Sequence, residues 1–179
     1  MGSAGSGAVP VRGTRRHDRR RPPAAYQVLE RHRVRYVLIG GLAATIHGSP
    51  HVTTDVDITP ATSPPNLARL SAALKELEAR IRVAGEPEGL PFDHDAASLA
   101  RGQIWNRVTT SGDLDISFVP SGTHGYDDLR RDAIELDILG VQVPLASLAD
   151  IIRSKEAADR PKDRLTLPVL RRILEEGGS

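Results

Sequence analysis

Two acidic pairs carry most of the chemistry legible in this chain. Asp55-Val56-Asp57-Ile58 and Asp113-Leu114-Asp115-Ile116 each set carboxylates at alternate positions with apolar residues between them. Side chains on a β-strand alternate between faces, so the two acids of each pair share one face while the apolar residues point to the other. Carboxylates side by side on a strand face repel. A divalent cation removes that cost, and Mg²⁺ typically takes one or two carboxylates together with substrate phosphates. Before the first pair, the apolar run Tyr36-Val37-Leu38-Ile39 stops at Gly40-Gly41, and Leu42 to His47 reads as a short helix. Such a strand–helix junction can point its first amides at phosphate oxygens. A lone Gly-Gly would be no more than a tight turn. Followed by Asp-x-Asp fourteen residues after Gly41, it points to a site for a nucleoside triphosphate and its metal. A third carboxylate would come from Asp113 or Asp115 on a neighbouring strand.

The stretch from Gly40 to Ile58 resembles the signature of the polymerase-β-like nucleotidyltransferases, in the form that begins with Gly-Gly. The closer resemblance is to the small bacterial AbiEii/MenT-type toxins. It runs from about Tyr36 to Leu170, and Ile151-Ile152-Arg153-Ser154-Lys155-Glu156-Ala157-Ala158-Asp159-Arg160-Pro161-Lys162-Asp163 supports it independently. One departure is His51, where relatives often carry Arg. The resemblance implies an α/β fold with a small mixed sheet flanked by helices. It implies Asp55, Asp57 and Asp115 as ligands of two Mg²⁺ ions, with Asp115 also the general base toward the acceptor and Asp113 the fallback. Lys155 would contact the triphosphate, with Arg160 and Lys162 as further candidates beside Gly40, Gly41 and Thr53. The implied reaction is transfer of a nucleotide, a pyrimidine favoured, to the 3′ end of tRNA, which blocks aminoacylation. The implied partner is a cognate antitoxin, in some relatives a kinase. Thr53, two residues before Asp55, is the candidate phosphorylation site, since a phosphate there adds nearly two negative charges beside the metal ligands. Two alternatives stay open: the same chemistry on a small molecule or protein hydroxyl, and a catalytically silent fold that serves as a binding module.

These residues need a scaffold, and 179 residues suffice for one domain with a real core. Residues 1–23 are rich in Gly, Ser, Pro and Arg, so we expect a disordered basic tail followed by one nucleotidyltransferase domain over 24–179. Helices are expected from Ala24 to His32, from Ser63 to near Arg80 on a Leu67, Leu70, Leu74 and Leu77 stripe, from Tyr126 to Asp132, from Leu145 to Ala158, and from Arg160-Pro161 to Leu174. Strands are expected at Tyr36–Ile39, around Asp55 to Ile58, at Gln103–Thr109 and at Gly112–Phe118. A hairpin is expected at Ile134–Leu139 and Val141–Leu145, joined at Gly140. Gly85 to Asp95 reads as a loop and a candidate flap. The 24 basic and 23 acidic residues leave a net charge of +1, which selects no nucleic-acid partner by itself. The absence of cysteine excludes disulfides, thiolate metal sites and a cysteine nucleophile. No apolar run is long enough to span a bilayer, and no signal-peptide pattern opens the chain, so a cytoplasmic protein without a membrane partner is the expectation.

Overall fold

The structure is a computed structural model that describes residues 24–177 except Val52, Thr54, Gln103 and Leu139. The expected basic tail over residues 1–23 lies outside the described residues. A mixed sheet forms the centre. The apolar run before the glycines is β1 (Tyr36–Ile39), and the next helix, α2 (Gly40–Ile46), starts at Gly40 itself rather than at Leu42. α1 (Ala25–Arg31) precedes them and buries Val28 and Leu29. β2 (Val56–Pro60) begins one residue after Asp55, so the first acid sits at the strand's entrance and the second within it. Val56 and Ile58 are buried, as the alternation requires.

Ser63 opens α3 (Pro64–Glu76), whose proline pair suits a first turn that needs no amide donors. The leucine stripe is core: Leu67, Leu70, Leu74 and Leu77 are all buried. The helix ends earlier than expected, because Glu78 adopts a left-handed conformation. Between α3 and Asp95 the chain departs from the expectation of helix and loop. Arg80–Val83 and Glu86–Leu90 form an antiparallel hairpin, β3 and β4, at the sheet edge. Its charged residues and its Pro87 mask the strand signal, which is how an edge strand avoids pairing with other chains. α4 (Ala96–Arg101) carries a capping box at Asp95 and Ser98. β5 (Ile104–Thr109) and β6 (Gly112–Ser117) form the next hairpin.

α5 (Tyr126–Arg131) leads to the hairpin β7 (Ile134–Ile138) and β8 (Val141–Leu145), turning at Gly140. Leu145 closes this strand rather than opening a helix. Ser147 caps α6 (Leu148–Ala158) by accepting the Asp150 amide, and α7 (Pro161–Gly177) completes the chain. The strand order is β4-β3-β5-β6-β2-β1-β8-β7. The β2–β6 and β1–β8 contacts are parallel and the rest antiparallel, so the sheet is mixed. Asn66 locks α3 to the sheet. Its buried amide accepts from the Arg35 amide at 2.7 Å and donates to the carbonyls of Arg35 and Ala61 at 2.9 and 2.8 Å. Among the described residues no helix is long and apolar enough to cross a membrane.

Candidate active site

The register of β2 brings the acids together. Asp57 lies opposite Ile39 on its β1 side and opposite Asp115 on its β6 side. The residue before the glycine turn and the second acidic pair therefore flank the same carboxylate. Neighbouring strands run about 4.8 Å apart, which is close for like charges. Asp55, Asp57 and Asp115 all line one cavity of about 560 Å³. Burial pushes the Asp57 carboxyl up from 3.8 to about 6, and the charge of Asp115 adds to it. The Gly41 amide donating to Asp57 and the positive charge of Lys162 work against that rise, and Asp55 adds a smaller push. Asp115 is also raised, first by burial, with Arg82 opposing and Asp55 and Asp113 assisting.

The glycines make this packing possible. Gly40 has a φ of +71°, and a Cβ there would overlap Oδ2 of Asp57. A Cβ on Gly41 would lie 2.7 Å from Cγ2 of Thr53. The turn thus lets a carboxylate and a threonine sit against bare backbone. The expectation that the first amides of this helix face phosphate needs one correction: the Gly41 amide is already engaged by Asp57. Thr53 lines the cavity, and its Oγ1 accepts the Asp55 amide at 3.2 Å.

The opposite wall is basic. Lys155, Arg160 and Lys162 all line the cavity. Lys155 is 12% exposed, and its Nζ donates to Oδ1 of Asp163 at 2.9 Å, while Arg160 Nε donates to Oδ2 of the same carboxylate at 2.6 Å. Asp163 is fully buried. Burial alone would raise its pKa, but the hydrogen bonds from Arg160 and Lys155 outweigh it and hold the carboxyl below the usual range. Asp163 sits in the first turn of α7, where a carboxylate suits the helix dipole, and it also ties α7 to α6 and fixes the Lys155 ammonium. His51 lines the cavity, and His47 caps α2 and bonds the Ala146 carbonyl at 2.8 Å.

Sequence reasoning missed two features here. Arg82, on β3, bridges Asp115 and Asp113 at 2.9 and 3.1 Å. Its signal was hidden because the stretch did not read as a strand. The second is an apolar rim: Ile104, Val119 and Leu165 are 66%, 61% and 73% exposed and all line the cavity. Their positions along the chain show no pattern that would join them.

Three carboxylates without nitrogen or sulfur donors fit a hard cation such as Mg²⁺ in chemistry. Among the described residues, however, no group of three or more His, Cys, Asp or Glu side chains is arranged as it stands to hold an ion. Oδ1 of Asp115 accepts from Arg82 Nη2 at 2.9 Å.

A central mixed sheet, a strand-to-helix glycine turn and acids on adjacent parallel strands define the nucleotidyltransferase fold. Solved structures share it. The lincosamide antibiotic adenylyltransferase LnuA, with lincomycin bound, is 16% identical with a TM-score of 0.53, over 82% of this chain and 92% of that one. ANT(2″)-Ia in complex with adenylyl-2″-tobramycin is 15% identical with a TM-score of 0.52, over 84% and 85%. The solution structure of ANT(2″)-Ia gives 14%, 0.51, 85% and 80%. At such identities the likeness is one of fold. No protein-family description matches the chain, and no curated protein does.

Proposed function

We propose that this protein transfers a nucleotidyl group from a nucleoside triphosphate to an acceptor hydroxyl. The observation that supports it best is the convergence of Asp55, Asp57, Asp115, the glycine turn and the Lys155–Lys162 wall on one cavity. Asp55, Asp57 and Asp115 would hold the metal, two Mg²⁺ ions in this reading. When bound, Mg²⁺ would polarise the phosphate oxygens and lower the pKa of the attacking hydroxyl. Asp115 takes the proton of that hydroxyl, for which a raised carboxyl pKa is suited. The acceptor oxygen attacks the α-phosphorus and the bond to pyrophosphate breaks. Lys155 and Lys162, with Arg160 beside them, balance the charge that leaves.

We read the acceptor as the 3′ end of tRNA and the donor as a pyrimidine triphosphate, in keeping with the resemblance to the AbiEii/MenT-type toxins. A cognate antitoxin kinase acting on Thr53 belongs to the same reading. Thr53 faces the cavity beside Asp55 and against Gly41, so its phosphate would compete with the triphosphate for the same space. Mass spectrometry after co-expression with a neighbouring kinase-like gene tests this; suppressed activity with Thr53 unmodified ends it. A second reading, transfer to a small-molecule hydroxyl, is favoured by the apolar rim of Ile104, Val119 and Leu165. Structures of the same fold contain lincomycin and adenylyl-tobramycin.

Labelled CTP, UTP, ATP and GTP, offered with total tRNA or with a panel of hydroxylated small molecules, separate the readings. Label in RNA that is lost in Asp57→Asn supports the first, and label in a small molecule supports the second. No transfer to any acceptor overturns the enzyme and leaves a binding module.

A further inference from the structure

The register Ile81↔Arg107 and Arg107↔Leu114 runs straight across β3, β5 and β6. One residue further along, Arg82, Asn106 and Asp115 share the opposite face, the face of the cavity. Arg82 spans the width of β5 over Asn106 to reach Asp115 on the far strand. The β3–β4 pairing is irregular at this point, with a register shift between Ile81 and Val83 that falls on Arg82. The two-residue step on β3 faces a four-residue step on β4, so the extra residues belong to β4 opposite Arg82 and add local twist there. Across from it, Gly89 has a φ of +65°, and a Cβ there would lie 2.6 Å from the Ile81 carbonyl oxygen, so the irregularity is built into the hairpin.

The pair that results is not a fully satisfied structural bridge. One guanidinium nitrogen, Nη2, serves both Asp115 Oδ1 and Asp113 Oδ2, while Nε is buried with no hydrogen-bond partner. A buried donor without a partner costs the desolvation of that group, which is more than a typical hydrogen bond returns. Arg–carboxylate pairs are frequently bidentate, and this one is not: Nη2 alone is shared between two carboxylates. Arg82 instead supplies a positive charge beside Asp113, Asp115 and, one strand further, Asp57.

We propose that Arg82 is an internal counter-cation that holds Asp115 while no divalent metal is bound and competes with the metal for that carboxylate. Arg82 is thus a positioning residue that acts through Asp115. This rests on the nucleotidyltransferase reading only in taking Asp115 as a metal ligand. In the latched arrangement the guanidinium lowers the repulsion among the acids. A divalent cation held by Asp115 would need Oδ1 free of the guanidinium that now occupies it.

Mn²⁺ titration followed by electron paramagnetic resonance, without nucleotide, tests the proposal on the whole chain. Arg82→Gln is expected to bind Mn²⁺ roughly 3- to 30-fold more tightly than the unchanged protein, because a neighbouring opposite charge shifts a carboxylate by about tenfold or more and the partial exposure of this pair screens part of that. Arg82→Lys should fall between the two, and Asp115→Asn should abolish the difference. Unchanged or weaker Mn²⁺ binding in a folded Arg82→Gln overturns the latch while leaving the transferase reading in place. If no variant binds Mn²⁺, the latch and the metal-dependent reading fall together. If Arg82→Gln does not fold, the unchanged protein still decides: Mg²⁺ should shift the ¹⁵Nε resonance of Arg82 with the same midpoint as metal binding, and a resonance unmoved at saturation overturns the proposal.

Discussion

Asp57 is partly buried at the cavity and Asp163 is fully buried, and their surroundings drive them in opposite directions. Burial, with the charge of Asp115 added, raises Asp57 to about 6; at Asp163 burial also pushes upward, but the hydrogen bonds from Arg160 and Lys155 outweigh it and lower the carboxyl. A carboxyl raised in the folded state contributes stability that is complete below its unfolded pKa and lost as pH rises through the folded one. Without metal, Asp57 therefore weakens the fold progressively between about pH 4 and pH 7. Asp57→Asn should raise the stability of the metal-free protein by about 1–3 kcal/mol at pH 7.5 and leave it unchanged near pH 3.5. Thermal denaturation in EDTA across that range checks this; a difference independent of pH rejects it. The same variant should lose transfer activity by roughly a thousandfold or more, if each essential electrostatic contact is worth several kcal/mol. Gly40→Ala tests the close approach directly. Its methyl group meets Asp57 and its φ is unfavourable, so we expect a loss of about 1–3 kcal/mol, together with loss of transfer.

At the level of elements, Asp163 is the tie between α6 and α7. Lys155 is nearly buried and Arg160 is 57% exposed, so the two ion pairs differ in weight. Removing the carboxylate leaves a buried ammonium unpaired, which costs about 2–4 kcal/mol; an exposed pair contributes under about 1 kcal/mol. Asp163→Asn should therefore lower the melting temperature several times more than Arg160→Ala. Equal effects in a thermal melt would show that the charge of Lys155 is not what the carboxylate serves. The glycine turn is likewise an element-scale device, since it brings α2 against β2 closely enough for the Gly41 amide to reach Asp57.

Across the whole molecule, one cavity joins an acidic wall from β2 and β6, a basic wall from α6 and α7, and an apolar rim at Ile104, Val119 and Leu165. Apolar side chains offer a triphosphate no charge to pair with, so under the proposed function the rim is assigned to the acceptor. Leu165→Ser should raise the KM for the acceptor roughly 3- to 10-fold, the value of about one to two buried methylenes, with the KM for the triphosphate unchanged. Steady-state kinetics with each substrate varied in turn measures this, and a shift confined to the triphosphate would reverse the assignment.

Local pattern made much of this molecule legible from the chain itself. The alternation around Asp55-Val56-Asp57-Ile58, the leucine stripe of α3 and the hairpin at Gly140 are set by periods of two and 3.6 and by glycine geometry, all short-range properties. The edge hairpin β3–β4 was not legible, because charge and proline hide the alternation in edge strands. The bridging of Lys155 and Arg160 by Asp163, and the reach of Arg82 over β5 to Asp115, depend on which strands and helices become neighbours. Tertiary structure alone decides such contacts, because sheet order and helix packing join residues far apart in sequence whose spacing carries no period.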